Sequence, residues 1–215
     1  MSIKLNYKFF VYFFVLLIFS LSLLKILDLI LQKKYGLGTP LIYKYSNVVG
    51  YIIEPNQKLR RLGNKIIINQ EGMRSDNWKE DSPNNILFFG DSVTYGGSVV
   101  SNEDLFSERV CDNLSKLKKN NFSCGNYGVN GYSLDAISRK IKFNKNTKKA
   151  NLIIVTLVAN DLIRGFHHII SQPFWSKKIE NMYPAITEAA FIYIDSFRYK
   201  TKYKFWKRES YSNWN

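Results

Sequence analysis

The sequence predicts an α/β protein: a three-layer α/β/α domain on a parallel sheet, flavodoxin-like in its winding, preceded by a transmembrane helix and a small β-hairpin. Three observations lead there. From residue 84 onward, short apolar runs alternate with longer amphipathic segments in the order strand, helix, strand, helix, strand. Near-continuous apolar strands in that alternation are buried on both faces and joined by right-handed crossovers. The apolar run 86–89 ends directly in Gly90-Asp91-Ser92, which delivers a hydroxyl to the carboxyl edge of the sheet, where open α/β folds hold their ligands. Finally, residues 9–24 carry no charge at all.

Taken in chain order, the first element is the anchor. Residues 9–31, read as one helix, reach roughly 34 Å, enough to cross a hydrocarbon core. Lys25 and Asp28 lie three apart near one end, where they can face each other or reach toward the interface. No small-x-small cleavage pattern follows, so an uncleaved single-pass anchor over residues 1–35 is expected rather than a removable signal peptide. Lys4 and Lys8 before the span balance Lys33, Lys34 and Lys44 after it, and the positive-inside count leaves orientation open. Gly36-Leu37-Gly38-Thr39-Pro40 then breaks the helix and opens a linker. Residues 48–53, a Glu54-Pro55-Asn56 turn and residues 58–69 read as a hairpin, completing a segment over 36–83.

The main domain, expected over 84–215, begins with a strand at 86–89. A helix at 104–118, a strand at 122–129, a helix at 133–143 and a strand at 151–157 follow. Beyond residue 163 the periodicity weakens. Residues 183–199 suit a helix, although Tyr193-Ile194 within them suits a strand equally.

Composition narrows the function classes. A chain of 215 residues with 46% hydrophobic residues can bury a medium core, and its net charge of +14 suits anionic surroundings. No nucleic-acid partner is expected, because no recognised binding motif accompanies the charge. The stretch 198–208 mixes cations with aromatics as membrane-surface segments do, and reads as an exposed tail or amphipathic insertion. Cys111 and Cys124 cannot form a zinc knuckle, and neither metal nor cofactor is expected. The two cysteines can pair if the domain lies outside the cytoplasm; two buried free thiols are the reading preferred.

The chemistry concentrates at three strand ends: Gly90-Asp91-Ser92, the stretch 126–131, and Val158-Ala159-Asn160-Asp161. Parallel strands bring these turns to one edge. A tetrahedral intermediate of acyl transfer needs a nucleophile and donors aimed at its oxyanion. Ser92 supplies the hydroxyl, and its own amide, the Gly131 amide and the Asn160 side chain are candidate donors. Asp91 is expected to brace the turn, and Asp161 to cap the segment that follows.

These blocks resemble those of the SGNH hydrolases of GDSL type. Gly90-Asp91-Ser92 is similar to the first block, residues 126–131 to the second with its oxyanion glycine, and residues 158–161 to the third, with Val158 where the family has glycine. The resemblance implies a serine ester hydrolase or O-acyltransferase. The anchor and hairpin look like those of members acting on envelope polysaccharides, so an extracytoplasmic domain and a glycan-borne acyl ester are implied. One departure is large: the family's Asp-x-x-His block, which carries the general base, is absent. The sequence has two histidines, His167 and His168, which are the candidate substitute bases. The rival expectation is a C-terminally incomplete, inactive membrane protein acting at most as a binding module.

Overall fold

The computed structural model describes residues 7–75, 78–165, 184–194 and 196–197. They fall into two compact units, Thr39–Met182 and Met1–Gly38 with Tyr183–Asn215.

In the first unit, two antiparallel hairpins precede the sheet. Strands β1 (Tyr43–Ser46) and β2 (Gly50–Ile53) form one; β3 (Gln57–Arg61) and β4 (Asn64–Ile68) form the other. The sequence suggests one hairpin here, because β1 is a short run of alternating tyrosines and polar residues with a weak apolar signature. Strand β5 (Asn85–Gly90) is buried at every position and lies between β6 (Ser123–Asn126) and β7 (Leu152–Thr156), parallel to both. β6 is shorter than the expected 122–129. The Asn126 carbonyl oxygen of the side chain accepts the Gly128 amide at 2.9 Å and turns the chain out of the sheet.

The order β6-β5-β7 explains the layers. Helix α2 (Ser92–Tyr95) follows β5 at once, and α3 (Phe106–Lys118) then carries the chain to β6 on one side. The connection through α4 (Leu134–Phe143) runs in the opposite direction, to β7 on the other side. Right-handed crossovers of opposite direction place their helices on opposite faces. The core follows suit. Ile86 and Phe88 pack with Cys111 and Leu114 of α3, whereas Leu87 and Phe89 pack with Ala136 and Ile137 of α4 and with hairpin residues such as Tyr51 and Ile66. Strand order reverses at β5, so its carboxyl end opens the crevice where such sheets bind ligands.

The cysteines depart from the reading preferred above: Cys111 and Cys124 form a disulfide, with Cα atoms 6.0 Å apart. Packing of α3 onto β6 brings the two side chains together beside Ile86 and Phe88, at a separation that suits a bridge.

In the second unit, α1 (Tyr7–Tyr35) has 29 residues, none buried, and mean hydropathy 2.5 over its most apolar window, which makes it a candidate membrane anchor. Ser20 and Ser22 donate to carbonyls one turn back at 2.8 Å, so neither hydroxyl is left unsatisfied. The helix Ala185–Ile194 is designated α6, with α5 (Ala159–Ile163) before it. Within the stretch 183–199, which suits helix or strand, Ala185–Ile194 is helical, Tyr193-Ile194 included. Asp28 of α1 accepts the Ile186 amide at 3.0 Å, and Glu188 accepts the Gly38 amide at 2.5 Å.

Two outcomes follow from the packing. The disulfide spans 13 residues, so Cys111→Ala/Cys124→Ala is expected to lose about 3 kcal/mol in urea unfolding. On α4, burial, assisted by Lys44, pushes the Lys140 amine down to about 8 from 10.5, with its ammonium 5.0 Å from the Tyr127 ring centroid. A depressed lysine holds fewer protons folded than unfolded between those values, so its cost to stability is full below pH 8 and lifts as pH rises. Lys140→Met should thus stabilise at pH 7 by on the order of 1 kcal/mol, the gain shrinking through alkaline pH.

Candidate active site

The first turn is built on close approach. A side-chain carbon on Gly90 would stand 1.9 Å from the Thr94 hydroxyl and 2.7 Å from the Thr156 carbonyl oxygen. Only glycine lets α2 start directly on the end of β5. Asp91 caps α2, its Oδ1 accepting the Val93 amide at 2.9 Å. Ser92 opens the helix, exposed, and its hydroxyl donates to Asp91 Oδ2 at 3.3 Å.

The second turn is pressed against the first. The Asn126 side-chain amide donates to the Thr94 carbonyl at 2.7 Å and to Ser107 Oγ at 3.0 Å. A side-chain carbon on Gly128 would lie 2.2 Å from the Tyr95 nitrogen. The chain then passes Gly131 with φ of 80°, a left-handed conformation that suits glycine.

The third turn enters α5, where the Asp161 carboxylate accepts the Val158 amide at 3.0 Å and Asn160 stands exposed in the first turn. One cation joins all three. Arg164 Nη1 donates to the Tyr132 carbonyl at 3.0 Å, and lies 3.5 Å from Asp161 Oδ1 and 3.9 Å from Asp91 Oδ2. Both carboxylates are almost wholly buried, which places this small network in a lower dielectric than a surface pair enjoys.

The hairpins brace the second turn and the segment that follows the first. From the first hairpin, the Tyr51 hydroxyl donates to the Asn130 carbonyl at 2.7 Å, while the Tyr132 hydroxyl donates to the Tyr51 carbonyl at 2.5 Å. Asn130 Nδ2 also donates to the Tyr43 hydroxyl at 3.1 Å. Gly131 is thereby gripped on both sides. Burial raises the Tyr43 and Tyr132 phenols well above their ordinary value, so both stay protonated at working pH. From the second hairpin, Asn102 pairs with both backbone groups of Ile67, donating at 2.9 Å and accepting at 3.2 Å.

Arg74, fully buried, completes this brace. It donates through Nε to Asn102 Oδ1 at 3.2 Å, through Nη1 to the Tyr95 carbonyl at 2.7 Å and to that of Gly97, and through Nη2 to the Val100 carbonyl at 2.5 Å. Its guanidinium also lies over the Tyr95 ring, 4.6 Å from the centroid.

Of the residues the sequence singled out, Ser92, Gly131 and Asn160 lie in turns at the same sheet edge, with Asp91 and Asp161 behind them. His167 and His168 lie outside the described residues. Among the described residues, Asp91, Asp161 and Arg164 are the charged groups of this network. Sequence reasoning missed Arg74, Arg164, Tyr43 and Tyr51. Arg164 was findable, since it falls four residues after Asn160 on the exit of the third block. Nothing local marks the two tyrosines, whose partners lie 79 and 87 residues away.

Among the described residues the parallel sheet is three-stranded, with helices on both faces and with serine, glycine and asparagine turns at its switch point, an α/β layout suited to acyl-transfer chemistry. The chain matches the GDSL-like lipase/acylhydrolase family over residues 86–198, more than half of its length, and belongs to that family. No curated protein matches it. Family membership supports hydrolase chemistry of the esterase or acyltransferase type.

The brace on Gly131 is open to test. Tyr51→Phe removes the donor to Asn130 while keeping the ring, and is expected to lower kcat on an aryl ester about tenfold, with melting temperature shifted by only a few degrees. Arg74→Met strands carbonyls around residues 95–100 and should cost on the order of 3 kcal/mol in unfolding free energy.

Proposed function

We propose that this chain is a membrane-anchored serine ester hydrolase or O-acyltransferase, with Ser92 the nucleophile and the Ser92 amide, Gly131 amide and Asn160 side chain the oxyanion donors. The observation that carries this reading is the convergence of three strand-end turns on one edge, tied by Arg164 and Asn126. An exposed hydroxyl there can attack an ester carbonyl, the carbonyl oxygen gaining charge where the donors point. The alkoxide leaving group then needs a proton, and the serine must first lose one. Those transfers fall to a base brought over the turn, for which His167 and His168 are the candidates, seven and eight residues beyond Asn160.

The substrate proposed is an acyl ester on a cell-envelope glycan, with the catalytic unit outside the cytoplasm. The disulfide supports that side of the membrane, because such bonds persist in oxidising compartments, and α1, long and apolar enough to span, supplies the crossing.

Hydrolysis of an aryl acetate by the full chain tests the reading. Ser92→Ala is expected to abolish turnover, and Asn160→Ala to lower kcat by about 100-fold or more. If His167 or His168 is the base, one of the two alanine variants should match the serine variant, and the other should stay near wild type. A chain with no activity before any substitution would instead favour the inactive binding module.

A further inference from the structure

The second compact unit contains a feature that ester chemistry does not use. Asp28 sits in the apolar helix α1, three residues after Lys25, where a carboxylate is costly unless it is paired. One partner is a backbone amide of α6: the Ile186 N–H donates to Asp28 Oδ1 at 3.0 Å. This amide belongs to the first turn of α6, whose donors have no partner within their own helix, so the contact satisfies both sides.

That bond also fixes depth. Asp28 precedes Lys33 and Lys34 by five and six residues, which is roughly 8 Å along a helix axis. Lysines at the end of a span reach for the headgroups. The first turn of α6 therefore lies about one headgroup layer below them, near the boundary with the acyl chains. Amphipathic helices that lie in a membrane surface bury their apolar side at that level. The side chains of α6 fit it. Ala190, Phe191 and Ile194 share one side of the helix and are exposed, Phe191 by 41% and Ile194 by 44%, whereas Ala185, directly across the helix from Ile194, and Glu188 face inward, the latter accepting the Gly38 amide. The sequence continues through Arg198, Lys200, Lys202, Lys204, Lys207 and Arg208, a charge complement to anionic headgroups.

We infer that α6 is a second membrane element: an interfacial helix held by Asp28 against the anchor, with Phe191 and Ile194 set into the bilayer surface. This rests on α1 being a membrane span. The outcome is a two-point attachment, one helix across the bilayer and one along it, with the lipid surface as the occupant of the apolar side of α6.

The test uses the full chain in vesicles of phosphatidylcholine and phosphatidylglycerol, with an environment-sensitive fluorophore on one introduced cysteine at a time. Ser20→Cys reports α1, Ile194→Cys reports α6, and Lys118→Cys on α3 is the aqueous control. The native disulfide keeps Cys111 and Cys124 from the label. The Ile194 probe should be quenched most by lipids with a nitroxide near the headgroup, and by aqueous iodide several-fold less than the Lys118 probe. Asp28→Ala should return iodide access to the Ile194 probe without changing the Ser20 probe, while Asp28→Asn, which keeps an acceptor, should not. Iodide access at Ile194 equal to that at Lys118, with Ser20 shielded, overturns the inference and leaves the anchor standing. Shielding at Ile194 without quenching by lipid nitroxide means that protein covers α6, and overturns it too. An iodide-accessible Ser20 probe removes the span itself.

Discussion

The buried guanidinium of Arg74 is the constraint on which the rest of the catalytic unit depends. A cation withdrawn from water must have its N–H groups occupied, and here several are occupied by carbonyls of the segment immediately after Ser92. That segment has little regular structure of its own: α2 is four residues long, and no strand follows it before α3. Its shape is therefore set from outside. The Arg74 amide also donates to the Asn126 carbonyl at 2.9 Å, so the residue that orders the first turn is pinned to the strand that starts the second.

The hairpins acquire their meaning from the same logic. In a parallel α/β sheet the strand ends present turns at one edge, but nothing in the sheet fixes the conformation of those turns. β1 and β2 supply tyrosines that hold the chain on either side of Gly131, and β4 supplies the backbone that Asn102 reads. Arg164 closes the arrangement from the third turn. Under the ester chemistry proposed above, support of this kind around a small group of polar atoms would hold donors in place before charge develops, rather than letting them rearrange as it does.

The sheet was legible in the sequence chiefly through β5, buried at every position, and β7, an unbroken apolar run although Leu152 and Val155 are exposed, and because helices of α3 and α4 length separate the strands. Their boundaries were off where a side chain ended a strand early, as Asn126 does for β6. The three blocks at the strand ends were legible as local motifs. What supports them was not, because Tyr51 and Arg74 act on partners distant in the chain and carry no pattern of their own. The cysteines failed for a similar reason. Spacing alone does not say that α3 will lie on β6, and that packing is what brings the two sulfurs together. A single hairpin was expected where two stand, because β1 lacks a distinct apolar alternation.

Gly90 and Gly128 bring the turns into close contact at the centre of this edge, with the Thr94 side chain packed against both glycines. Variation among descendants of such a chain is thereby channelled outward. The contact between the first two blocks admits no new methyl group, whereas an exposed side chain such as Val99 on the rim meets no such limit. A lineage can rewrite exposed positions of that kind while the contact beneath them stays frozen.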